Sequence, residues 1–192
     1  MCLGRQQPVF APPMPAQACD WLVVGDPPDD PQERAGQAFV DDAGQLLNQM
    51  LKAVGVARLS THGLPDAVPG AAHQRAYLST VLKCRPALPT VPDATDLSAC
   101  AHYLHREIAL IKPKVILAMG RFALQLLLSA NHPQGVKLPL GKLRGQLWHF
   151  AGVPVVVTYP PAYLLRNGAD KARAWQDLCL AADVAEGLAP QV

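Results

Sequence analysis

The segment from Trp21 to Leu51, WLVVGDPPDDPQERAGQAFVDDAGQLLNQML, constrains this chain more than any other. Trp21 to Val24 has the length and apolar content of a buried strand, and Gly25 ends it. A loop of Pro, Asp and Gly follows, carrying one aromatic, Phe39, before an amphipathic helix begins near Asp42. Leu46, Leu47, Met50, Leu51 and Val54 share one helical stripe, and Gly55 is placed to stop the helix. A strand that leaves through a long polar loop into a helix sets that loop at the carboxyl edge of a sheet. In open α/β proteins ligands bind at that edge.

The pattern repeats downstream. Residues 57–75 are punctuated by Gly and Pro and read as a long loop, and Ala76 to Lys83 reads as a second strand. Thr95 or Asp96 caps a helix that runs to Ile111, where Lys112-Pro113 stops it. Val115 to Met119 is fully apolar, as strands covered on both faces of a parallel sheet are. Gly120 opens a helix to about Ser129; Gln146 to Phe150 and Val153 to Thr158 form a hairpin around Gly152; a last helix covers Lys171 to Gly187. This alternation predicts an α/β fold, a three-layer α/β/α sandwich around a mostly parallel four-stranded sheet. The expected division is a Pro-rich N-terminal arm over residues 1–19 and a single domain over 20–188.

Half of the 192 residues are apolar and 17% are charged, which excludes a disordered tail. A net charge of +2 permits nucleic-acid contact without requiring it. No apolar run approaches the ~20 residues of a membrane span, and the N-terminus lacks the apolar core of a secretory signal. A cytoplasmic setting without membrane contact is the expectation. Five scattered cysteines make a poor disulfide framework, and such a setting would keep them reduced.

Three loops leave strand ends at the carboxyl edge, and their residues resemble those of family 4 uracil-DNA glycosylases, the iron–sulfur type. GDPPDDPQERAGQAFVDDAG aligns without a gap to that family's GEAPG-x-x-E-D-x-x-G-R-P-F-V-G-x-A-G. LSTVLKCRP matches ITNVVKCRP, and TYPPAYLLRNG matches a strand followed by HPAYLLRNP. KPKVILAMGRFALQLLL and KLRG, between them, are typical of the family, so the resemblance spans roughly Trp21 to Asp183. It implies the family's fold, a pocket for a base flipped out of DNA, and excision of uracil.

By that resemblance Gly25, Pro28, Phe39 and Thr80 belong to the base pocket, with Phe39 stacking on the base. A ring packed in the core is the alternative for Phe39. Asp26 stands where the family has Glu, as the carboxylate that activates water. It is shorter by one methylene, which draws its oxygens back by about 1.5 Å, and an offset of that order can cost on the order of 100-fold. A turn or capping role is the alternative for Asp26. Thr80 replaces an Asn whose amide matches the uracil edge as both donor and acceptor, and is otherwise an ordinary strand residue. Pro160 replaces the His that would donate to the departing base, and proline has neither a side-chain donor nor an N–H. Asp29 replaces a Gly and adds bulk and negative charge where phosphate would pass.

Cys84 and Cys100 match the later pair of the family's four cluster cysteines, but the early CxxC is missing. They read as remnants of an iron–sulfur site or as small buried residues, and no cluster or other metal is expected. Lys83, Arg85, Lys142, Arg144 and Arg166 are the DNA-facing candidates, all suited to contact phosphate without reading sequence. The expectation is a monomeric, catalytically degenerate relative that acts as a DNA-associated module or with a replication or repair protein. An active glycosylase of altered base specificity and a protein-binding subunit of the same fold are the alternatives.

Overall fold

Strand β1 (Trp21–Gly25) is buried along its whole length and lies inside the sheet, flanked on both sides by parallel neighbours. In this computed structural model the described residues are 19–59, 74–86, 91–129, 131–133 and 137–188. The sheet has six strands, in the order β2-β3-β1-β4-β6-β5. Besides β1 they are β2 (Val56–Arg58), β3 (Gln74–Thr80), β4 (Val115–Met119), β5 (Leu147–Phe150) and β6 (Val153–Thr158).

The expected mostly parallel sheet is present, but the count of four strands is corrected to six. β2 was hidden in the segment read as a loop: three residues are too few to show a period of two. β5 is the antiparallel member, joined to β6 through Ala151 and Gly152, both at positive φ as a tight hairpin turn requires. The expected N-terminal arm, apart from Cys19, and most of the 57–75 loop lie outside the described residues.

Seven α-helices accompany the strands among the described residues: α1 (Asp30–Ala35), α2 (Asp42–Ala53), α3 (Ala94–Ile111), α4 (Arg121–Leu128), α5 (Leu140–Leu143), α6 (Pro161–Arg166) and α7 (Lys171–Ala185). The alternating faces of β1 send side chains into two cores. Leu22 and Val24 join Leu104, Ile108 and Leu127 on one side; Trp21 and Val23 join Leu47, Leu51 and Leu178 on the other. Burial of each such side chain stabilises the fold by roughly 1.5–3 kcal/mol. Helices therefore cover both faces, which is why a continuous apolar run such as Val115–Met119 is tolerated at the centre.

Helix α3 begins one turn earlier in its capping logic than the sequence suggested. Asp93 is the N-cap, accepting from the amides of Thr95 and Asp96, while the Asp96 carboxylate accepts from the Asp93 amide in return. α1 and α6 were missed because each is six residues long and opens among prolines, which read as loop.

The register brings the strand ends level. Gly25 pairs with Thr80 on one side and Met119 on the other, and Met119 pairs with Thr158. The chain runs from β1 outward to β2 and β3, then crosses to β4 on the other side of β1. The β1–β4 seam is thus the topological switch point, where loops diverge and leave a crevice.

Candidate functional site

A cavity of about 240 Å³ opens at this edge, lined among others by Gly25, Asp26, Phe39, Pro160, Tyr163 and Arg166. Residues of the first and third sequence motifs meet there as expected. The second motif does not. Thr80 is buried and its hydroxyl donates to the Leu82 carbonyl at 2.7 Å, and it does not line the cavity. Pro28 is also buried and off the lining, where its neighbour Pro27 takes the place expected for it.

Phe39 both lines the cavity and belongs to the core, so the two readings of this ring coincide. Its backbone is left-handed, with φ of 57°, a conformation that costs a non-glycine residue on the order of 1–3 kcal/mol. Close packing holds it there. A Cβ on Gly25 would lie 2.5 Å from the Phe39 ring, and a Cβ on Gly44 would lie 2.0 Å from the Phe39 carbonyl oxygen. The Phe39 amide donates to the Gln32 side chain at 3.1 Å.

Asp26 spans the β1–β4 seam. Its Oδ1 accepts from the amide of Phe122 at 2.8 Å and, more loosely, from that of Ala123 at 3.4 Å. It thereby caps α4, whose own N-cap residue, Gly120 at φ 106°, has no side chain to do so. A Cβ at Gly120 would fall 2.0 Å from Asp26 Oδ2, so the glycine makes room for the visiting carboxylate. Burial pushes the Asp26 carboxyl up from 3.8 to about 6, against the pull of the Phe122, Ala123 and Arg121 amides. Asp26 is therefore a cap and a cavity-wall carboxylate at once.

The lining holds two further carboxylates among mostly uncharged residues. Asp29 and Asp41 also line the cavity, each as the N-cap of a helix: Asp29 accepts from the Gln32 amide and Asp41 from the Gly44 amide, both at 3.1 Å. Among the described residues, a single guanidinium, that of Arg166, stands against the carboxylates of Asp26, Asp29 and Asp41. Pro160 brings no donor, and the Tyr163 hydroxyl donates its proton to Asp170 at 2.7 Å.

The basic set is largely corrected. Lys83 is buried and ion-paired with Glu107 at 2.8 Å, and it also donates to the Ser79 hydroxyl; burial pushes its ammonium pKa down. The strand that was expected to reach residue 83 ends at Thr80, which turns Lys83 inward. Arg85 bridges the loop after β3 to Asp30 and Glu33 of α1. Arg144 bonds the fully buried Asp177 through Nε at 3.0 Å and a terminal nitrogen at 2.9 Å. Asp177 further accepts from Thr158 and from the Gly145 amide, so this cluster bolts the loop before β5 to α7. Lys142 and Arg166 remain exposed, joined by Arg121 at the start of α4, which the sequence reading did not single out. Arg58, on the unrecognised strand β2, was also missed. It donates to the carbonyls of Ala38 and Phe39.

The iron–sulfur cluster implied by the resemblance does not fit the described residues. Cys84 is disulfide-bonded, a departure from the expected reduced thiols, and so is no thiolate ligand. Cys19, Cys100 and Cys179 are free thiols, and no group of three or more His, Cys, Asp or Glu gathers to hold a metal among the described residues. Cys2 lies outside them. No described helix is long and apolar enough to cross a membrane.

Comparison with known proteins agrees with this architecture. Residues 13–179 match the family described as the Uracil DNA glycosylase superfamily. The chain is 32% identical to a type-4 uracil-DNA glycosylase of Thermotoga maritima over 153 residues, covering 79% of this chain and 69% of that protein. A type-4 uracil-DNA glycosylase of Pyrobaculum aerophilum is 31% identical over 163 residues, covering 83% and 74%. One from Archaeoglobus fulgidus is 27% identical over 167 residues, covering 85% and 75%. With a switch-point cavity, its aromatic wall and this extent of match, the chain belongs to the uracil-DNA glycosylase superfamily.

Proposed function

We propose that this protein keeps the base cavity of its superfamily but does not excise uracil, and that it serves as a cluster-free, DNA- or repair-associated module. One observation carries the reading: among the described residues, the cavity wall sets Asp26, Asp29 and Asp41 against Arg166 alone, with Pro160 at the donor position. Uracil leaves its sugar as an anion, and catalysis needs donors aimed at that developing charge. A carboxylate-rich wall opposes it, and it opposes an adjacent phosphate equally. Exposed Arg166, Lys142 and Arg121 are suited to sequence-independent contact with phosphates at the rim.

The test is incubation of the purified protein with uracil-containing single- and double-stranded oligonucleotides. No abasic sites are expected, and enzyme-dependent abasic sites would overturn the reading. DNA affinity that falls steeply with salt supports the DNA module. An absence of DNA binding would leave a protein partner as its role. A second reading rests on Asp26, whose carboxyl near 6 suits a general base at neutral pH. That reading is an active glycosylase on another deaminated base. Abasic sites from hypoxanthine or xanthine that vanish in Asp26→Asn would establish it.

A further inference from the structure

Phe39 cannot hold its place alone. A left-handed backbone at a bulky residue relaxes unless its surroundings over-determine it. The glycines at 25 and 44 only make room, since they remove atoms that would clash and supply no attraction. Beyond the ring's packing and the bond from the Phe39 amide to Gln32, the hold on its carbonyls comes from Arg58. One terminal nitrogen donates to the Phe39 carbonyl at 2.9 Å and to Asn48 Oδ1 at 3.2 Å, and the other donates to the Ala38 carbonyl at 2.7 Å. Two consecutive carbonyls are thus gripped by one planar fork. That fixes the orientation of the Ala38–Phe39 peptide and of the one that follows Phe39, and with them the direction of the ring.

Arg58 closes the edge strand β2, where its register with Ala76 of β3 anchors it to the sheet. Asn48, on α2, steadies the guanidinium from the helix side. We propose that Arg58 is the positioning residue for the aromatic wall: it acts through Phe39 and sets whether the cavity presents a ring face to a base. Arg58 touches no ligand in this scheme and does not line the cavity. The consequence for base binding rests on the reading above that the cavity accepts a base. The consequence for the ring does not.

The geometry also says which substitutions should matter. Lysine keeps the charge, but its ammonium is a point donor on a flexible stem and does not reproduce a planar grip on two carbonyls and an amide oxygen. Arg58→Lys should therefore fail much as Arg58→Ala does. A purely electrostatic or space-filling role would predict rescue by lysine.

Two measurements on the full chain decide the matter. The first follows the ring 13C–1H resonances of phenylalanine-labelled protein, with those of Phe39 assigned by their loss in Phe39→Leu. Wild type should show Phe39 shifted away from random-coil positions. In Arg58→Ala and Arg58→Lys these resonances should move toward random coil, while those of Phe150 on the far edge strand stay in place. Unchanged Phe39 resonances in folded Arg58 variants would overturn the proposal. General loss of dispersion would overturn it too, by making Arg58 a residue of global stability.

The second measures affinity for single-stranded oligonucleotides carrying 2-aminopurine or an abasic site. The base-dependent part of binding should fall about tenfold in Phe39→Ala and equally in Arg58→Ala, with no further loss in the double variant. Additive losses would show that Arg58 does not act through Phe39. If wild type and Phe39→Ala bind both oligonucleotides alike, the base-cavity reading fails. The ring resonances then still judge the role of Arg58.

Discussion

Two clusters at the carboxyl edge of the sheet place charge and backbone in opposite ways. On the Phe39 side, Arg58 spends its donors on main-chain carbonyls and an amide, and positions an uncharged ring at the cavity. On the far side, Arg144 faces the buried carboxylate of Asp177 and closes on it, so the loop carrying LRG is held by charge satisfied internally. The first arrangement holds a strained backbone in place beside a cavity. The second removes an arginine from solvent and makes it part of the scaffold. The difference teaches that a basic motif at a binding edge is not evidence of a nucleic-acid contact until its counter-charge is known.

The largest effect should come from breaking the charged side. Asp177 has no exposure, so Asp177→Ala strands the Arg144 guanidinium and leaves the Thr158 hydroxyl and the Gly145 amide without their acceptor. A loss of about 3–5 kcal/mol is expected in urea unfolding. The exposed pair of Arg34 with Asp30 on α1 should lose less than about 1 kcal/mol in Arg34→Ala. Equal losses would erase the distinction between scaffold and rim.

Next is the pH dependence set by Asp26. Its folded carboxyl titrates at about 6 against an unfolded 3.8, so the folded state binds more protons between those values. Stability should fall as pH rises through that window, by an amount on the order of 3 kcal/mol. Asp26→Asn keeps an acceptor for the Phe122 amide and removes the titration. Thermal denaturation from pH 4 to 8 should show a flatter profile for the variant and a higher melting temperature than wild type at pH 8. A wild-type profile that rises over this range would reverse the assigned sign.

The smallest of the three sharpens the Phe39 side. Gly44→Ala pushes a methyl onto the Phe39 carbonyl and should cost about 1–3 kcal/mol, although alanine is otherwise the better helix former. A net gain in stability would mean that the Phe39 backbone yields easily, and would weaken the case for Arg58 as its anchor.

Much of the fold was legible because its signals are local. Val115–Met119 and the stripe Leu97, Cys100, Leu104, Ile108 and Ile111 carry their burial in their spacing. Strand β2 was not legible, since three residues carry no period, and with it went Arg58. At the site, the motifs located Asp26, Phe39 and Pro160 on one cavity. They misplaced Thr80, Lys83, Arg85 and Arg144 because the fate of a polar side chain depends on partners far away in sequence. Glu107, 24 positions from Lys83, and Asp177, 33 from Arg144, are such partners. The sequence allows either a capping or a lining role for Asp26, and the geometry at Gly120 shows that one carboxylate does both.

Among the described residues, the sheet ends on short strands at both margins, three residues of β2 on one side and four antiparallel residues of β5 on the other. A visiting chain that tried to extend the sheet would find only one or two ladder bonds before the edge ran out. Among the described residues, helix faces and loop tips therefore offer more surface for contact than either edge does.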